Sequence, residues 1–193
     1  MKLKIWLCLL PVIFYSINFL GQGKKKVSIT TAIEVQNEDG EGLSGVSAKL
    51  FNKGQEEKSV VTTNSGIVTF TLEPNSDYLI ELSKDGFVSK IISVNTKVPS
   101  YEDQQFEVAF PVLLFQPCEG LDYSILQKPV VKLVHNEKKR DFLPEKVYDE
   151  VMQEKLSKLF EDNQNCLDEK YNAIVREGDR LFKSKKYEEA VSP

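Results

Sequence analysis

The sequence predicts an α+β chain in separate domains, a β-sandwich followed by a C-terminal α-helical segment. Three observations carry this. From Val27 to Val94, β-branched and apolar residues alternate with polar ones, which is the period of half-buried strands. Turn residues punctuate that stretch about every 8–12 residues, the spacing of an all-β sandwich. From Pro144 onward the apolar period changes to that of a helix.

Val27–Val35 (VSITTAIEV) is β-branched and reads as the first strand. Asn37-Glu38-Asp39-Gly40 then reverses the chain, because Asp-Gly favours positive φ. Val46, Ala48 and Leu50 alternate with Ser47 and Lys49 until Asn52-Lys53-Gly54 turns again. Ser59–Thr63 ends at Asn64-Ser65-Gly66. Val68, Phe70 and Leu72 form the next strand, and Tyr78, Ile80 and Leu82 the one after it. Lys84-Asp85-Gly86 leads into Phe87–Val94. The apolar stretch Phe106–Phe115 is expected to close the sandwich. Pro111 within it cannot donate to a ladder and marks an edge, bulge or bend. Gly40, Gly66 and Gly86 are the structural turn positions.

The expected organisation is 1–23 as a signal peptide, 27–115 as a sandwich that folds by itself, 116–143 as a linker with a short strand at Val130–Val134, and 144–193 as helix. The first segment has a basic start (Met1-Lys2-Leu3-Lys4), an uncharged run from Ile5 to Leu20 with Pro11, and small residues at Gly21-Gln22-Gly23. Its apolar run is shorter than the about 20 residues of a membrane span. Lys24-Lys25-Lys26 disfavours translocation and keeps an uncleaved N-terminal anchor as the alternative. Cys8 lies inside the apolar core and is not a lipoprotein cysteine. Cys118 and Cys166 can pair in an exported chain. The reading preferred here is two separate thiols, because a disulfide framework normally has more cysteines.

The helical segment starts at Pro144 and reads as one long helix, or as two with a break or exposed turn at Asp162-Asn163-Gln164-Asn165. Its single apolar stripe cannot hold it folded alone in water, so it requires a partner.

Composition narrows the functional classes. A net charge of −4 and the absence of a basic face argue against nucleic acid. The chain has a single His, His135, which excludes multi-histidine metal sites. There is no nucleophile elbow and no glycine-rich phosphate loop. Asn37–Glu41 offers oxygens but reads as a solvated turn rather than a calcium site, and the EF-hand alternation fails after Asp162. Phe70, Tyr78, Phe87, Phe106 and Phe110 are core rather than a carbohydrate platform. Lys138-Lys139-Arg140 is a solvated loop, with anionic lipid as the lesser option. No catalytic residue, metal or cofactor is expected.

Two local patterns resemble known families. The Asp-Gly turn is followed by Leu43-x-Gly45-Val46-x-Ala48-x-Leu50, Thr62-Thr63-x-x-Gly66-x-x-x-Phe70-x-Leu72, Tyr78-x-Ile80 and Lys84-Asp85-Gly86-Phe87. This resembles the carboxypeptidase regulatory-like domain. The resemblance implies a prealbumin-type, seven-stranded Greek-key sandwich, a non-catalytic module of exported proteins. Peptidase activity is excluded, because the metallocarboxypeptidase His-x-x-Glu pair is missing.

Tyr171–Ala190 (YNAIVREGDRLFKSKKYEEA) resembles the opening of a tetratricopeptide repeat, with Gly178 and Ala190 where its helices approach closely. Glu177 departs from the apolar residue usual there. A partial repeat cannot bury its own apolar face, so the chain is expected to be a fragment. The order of segments resembles multidomain envelope proteins of Bacteroidota-type bacteria.

The function expected is a non-enzymatic exported envelope protein that binds a protein or peptide partner, with membrane-surface association as an option. The alternatives are an accessory domain of an outer-membrane transport receptor, or the N-terminal fragment of an enzyme.

Overall fold

The computed structural model describes residues 27–99 and 104–183. The leader, Lys24–Lys26 and Ala190 lie outside the described residues. Alternation becomes strand wherever one face finds apolar company. β1 (Ser28–Gln36), β2 (Ser47–Asn52), β3 (Gln55–Val61), β4 (Ile67–Leu72), β5 (Asp77–Ser83), β6 (Lys90–Asn95), β7 (Gln105–Leu113), β8 (Pro129–Asn136) and β9 (Asp141–Pro144) precede a single helix, α1 (Lys146–Lys183).

The strands form a three-stranded sheet, β4-β1-β7, and a six-stranded sheet, β3-β2-β5-β6-β8-β9. Two pairings are parallel, β1 with β7 and β6 with β8. Ile29, Ile33, Val68, Phe70 and Leu72 come from the smaller sheet, and Ala48, Leu50, Ile80, Leu82, Ile92 and Val94 from the larger. They share one apolar core. The molecule is a β-sandwich with one C-terminal helix.

Seven of the nine strands among the described residues, β1–β7, fall within 27–115, and the stretch 116–143, expected as a linker with one short strand, supplies β8 and β9 to the larger sheet. The reason is burial. Val130, Leu133 and Phe142 join the core cluster, and β8 covers the edge that β6 would otherwise leave open. Leu126, in a short 3-10 turn at Ser124–Gln127, joins them. Part of the core therefore lies beyond Phe115. Pro144 closes β9 rather than opening the helix, which begins at Lys146.

Two further expectations about the helical segment are corrected. Asp162–Asn165 is neither a break nor an exposed turn. α1 runs through it without interruption, because Asn163 faces inward and is fully buried. Its Oδ1 accepts from the Cys118 amide at 2.8 Å and from the Tyr123 hydroxyl at 2.5 Å, and its Nδ2 donates to the Gln116 carbonyl at 3.0 Å. Cys118 and Cys166 are one disulfide, not two thiols. The same loop that Asn163 holds brings Cys118 beneath the next turn of the helix. No described atom lies within 4 Å of a Cβ built at Gly178, and Ala190, expected to face it, lies outside the described residues.

Residues Met152, Leu156, Leu159, Phe160 and Asn163 recur at helical spacing and form the docking face of α1. The Tyr148 hydroxyl donates to the Pro129 carbonyl, and Lys132 stands 4.0 Å over the Tyr148 ring. Phe160 meets Phe115 edge to face at 5.5 Å. Asn163→Leu removes the partners of a buried amide, a carbonyl and a hydroxyl. It is expected to lower stability by about 2 kcal/mol in urea unfolding, and an unchanged midpoint would refute the assignment.

Candidate functional site

The two sheets do not close on each other everywhere. β7 is the edge of the smaller sheet and β9 the edge of the larger, and the first half of α1 lies across the gap. Between them runs a cleft of about 710 Å³. Its walls are largely apolar. Val108, Phe110 and Val112 come from β7, Val131 and Leu133 from β8, Leu143 from β9, and Leu156 and Phe160 from α1.

One cation lines it. β6 begins at Lys90, and the alternation of that strand puts Lys90 on the inner face with Ile92 and Val94. Lys90 is only 8% exposed. Its ammonium lies 5.4 Å from the centroid of the Phe115 ring, a cation–π contact. Burial pushes the Lys90 pKa down from its ordinary 10.5 to about 8, because desolvation penalises the charged form.

The folded-state pKa is the lower one, so the unfolded chain binds more protons between pH 8 and 10.5. The stability cost of Lys90 is therefore fully present below pH 8 and is relieved as pH rises through that window. Lys90→Met is expected to raise stability at pH 7 by about 2 kcal/mol, less than the full shift implies because the ring contact is lost. It should also remove the residue's share of the rise between pH 8 and 10.5. Thermal unfolding across that range tests this, and a lower melting temperature for the variant at pH 7 contradicts it.

Three carboxylates also line the cleft, Glu107, Asp141 and Asp149. Glu107 and Asp141 lie at its other end, whereas Asp149 follows Tyr148, whose hydroxyl reaches the Pro129 carbonyl. Glu107 stands near the start of β7, whereas Phe115 lies just past its end. Asp141 pairs with Asn136 at the far end of β8, whereas β6 enters beside Pro129. The separation is roughly 20 Å at strand rise. No ion pair joins any of them to Lys90 among the described residues.

The positions singled out in the sequence lie elsewhere. Gly40, Gly66 and Gly86 adopt φ of +77°, +70° and +80° in turns, and none of them lines the cleft. His135 is on β8, edge-on to the rings of both Phe106 and Phe142. Lys138-Lys139-Arg140 forms the β8–β9 turn. Among the described residues no group of three or more His, Cys, Asp or Glu side chains could hold a metal ion, and no helix is long and apolar enough to cross a membrane. Lys90 was not singled out, yet Lys90-x-Ile92-x-Val94 carried a signal: a lysine in phase with buried residues.

A second surface is the far half of α1. Beyond the disulfide at Cys166, Tyr171 is 67% exposed, Ile174 72% and Val175 43%. The spacing places the three on one side of the helix. Lys170 donates to the Glu119 carbonyl at 3.2 Å, so the helix is held to the sandwich up to this point.

No protein-family profile and no curated protein matches the chain. Similar solved structures include 3-chlorocatechol 1,2-dioxygenase from Rhodococcus opacus 1CP, at 10% identity and a TM-score of 0.37 over 49% of this chain and 62% of that one. BcpA, the major pilin subunit of Bacillus cereus, is 18% identical with a TM-score of 0.36 over 45% and 28%. The 5-hydroxyisourate hydrolase of Klebsiella pneumoniae is 17% identical with a TM-score of 0.33 over 45% and 85%. The chain spans less than two thirds of the dioxygenase and of the pilin. At these scores none of the likenesses carries an argument about activity, and the functional reading rests on the chain's own geometry.

Proposed function

We propose that this chain is a non-enzymatic, exported protein-interaction and assembly module of the cell envelope, in which the β-sandwich holds α1 out as a docking arm. The observation that carries the reading is the far half of α1, where Tyr171, Ile174 and Val175 are exposed on a helix anchored at Cys166. From Leu167 to Lys183 the arm is about 25 Å long at helical rise. The partner that suits it is an amphipathic helix. The apolar side asks for apolar side chains, and Asp168, Lys170, Arg176 and Asp179 beside it offer both signs of charge for a polar rim.

The likeness of Tyr171–Ala190 to the start of a tetratricopeptide repeat supports the same geometry, since each helix of such a repeat packs on another. The Cys118–Cys166 disulfide supports export, because such bonds persist in oxidising compartments.

A photo-crosslinking side chain at position 174, in cells of the source organism, tests the proposal. The expected result is a discrete crosslinked protein that is absent when the same group replaces Lys53, at the tip of the β2–β3 turn. The same pattern at both positions, or no product at either, would overturn it.

A further inference from the structure

We propose that the cleft beside α1 binds a small amphipathic carboxylate, with the anion at Lys90 and an alkyl chain along the trough between β7 and β8. This goes beyond the docking arm and does not depend on it. Lys90 is more than nine-tenths buried and lines the cleft, and the contact recorded for its ammonium is the Phe115 ring. A cation buried without a counter-anion is costly, and a carboxylate brought to it offsets that cost with a charge-assisted hydrogen bond. The lowered Lys90 pKa fits an amine whose desolvation is uncompensated.

The cleft's own carboxylates do not serve that role. Glu107 and Asp141 lie at the opposite end, roughly 20 Å away at strand rise, and Asp149 on α1 forms no ion pair with Lys90 among the described residues. Apart from Gln153 and Ser157 of α1, the remaining lining is suited to hydrocarbon: Val112, Val131, Leu133, Leu156 and Phe160 flank the path from Lys90. A volume of about 710 Å³ falls within the range of about 300–1,000 Å³ typical of small-ligand sites. An end with one buried cation, largely apolar walls and an acidic far end together select chain plus terminal anion. A plain alcohol gains the walls and not the charge. An alkylammonium meets repulsion at Lys90.

Isothermal titration of the full chain with dodecanoate, dodecanol and dodecylammonium, each kept below its micelle-forming concentration, decides the matter without any variant. The expected result is that dodecanoate binds one-to-one and about tenfold or more tighter than dodecanol. Lys90→Met should abolish the preference for dodecanoate while keeping dodecanol binding, and Lys90→Arg should retain part of the preference. Amide shifts on adding dodecanoate should centre on Val112, Val131 and Phe160. No binding of dodecanoate would overturn the proposal. So would equal affinity for acid and alcohol, tighter binding of dodecylammonium, or shifts centred elsewhere.

Discussion

Replacing Cys118 and Cys166 together by alanine is expected to lower the unfolding free energy by about 4 kcal/mol, from the chain entropy that the bond withholds from the unfolded state. The two cysteines are 48 residues apart, so their bond closes a long loop. That loop contains β8, β9 and the docked half of α1. Without the bond, Asn163 and the Phe115–Phe160 contact still hold the helix, so the sandwich should remain folded. The arm beyond Cys166 should fray, with faster amide exchange from Leu167 to Lys183. Urea unfolding checks the stability, and a reductant should reproduce the loss in the parent chain while leaving the double variant unchanged. A difference below about 1 kcal/mol would mean that the packing alone fixes the helix.

Gly66→Ala is expected to cost about 3 kcal/mol or more, through two effects at one atom. Gly66 has φ of +70°, where an L side chain is strained. A Cβ there would also fall on the Val35 carbonyl oxygen, 2.7 Å from the Leu43 nitrogen and 2.9 Å from the Gly42 Cα. Those atoms are backbone and already engaged: the Val35 amide donates to the Gly66 carbonyl at 2.9 Å, and the Leu43 amide donates to the Val35 carbonyl at 2.7 Å. No side chain can swing aside to make room. Gly86→Ala is the control. Its φ is similar, +80°, but nothing lies within 4 Å, so only the conformational cost of about 1 kcal/mol remains. Equal losses at the two sites would show that the crowding around Gly66 is immaterial.

That comparison also marks how far the sequence could be read. Both glycines follow turn-forming residues, and the same local chemistry flags both. Only the crossing of the β1 end over the β3–β4 turn distinguishes them, and that crossing is made by residues about 30 apart in the chain. The alternation at Val68-Phe70-Leu72 and Tyr78-Ile80-Leu82 was legible for the opposite reason. Burying every second residue is a local pattern, and those six side chains are all buried.

The site was less legible. Lys90 sits in phase with Ile92 and Val94, but phase does not say whether the residue meets core, solvent or a cleft. That depends on where β7 and β9 stop facing each other. Asn163 was misread because Asp-Asn-Gln-Asn is turn-like by composition, whereas the hydrogen bonds that keep it helical come from Gln116, Cys118 and Tyr123, more than 40 residues earlier for the first two.

The sequence by itself determined the strand-rich first part, its turns, the helical tail, and the lack of a basic face. These follow from periodicity, backbone preference and charge, which act between neighbours in the chain. Tertiary structure alone decided that β8 and β9 belong to the sandwich, that two distant cysteines meet, and that one lysine is buried at the end of an apolar cleft. Each of these depends on which surfaces come together, and burial free energy is a property of the assembled surfaces rather than of any segment.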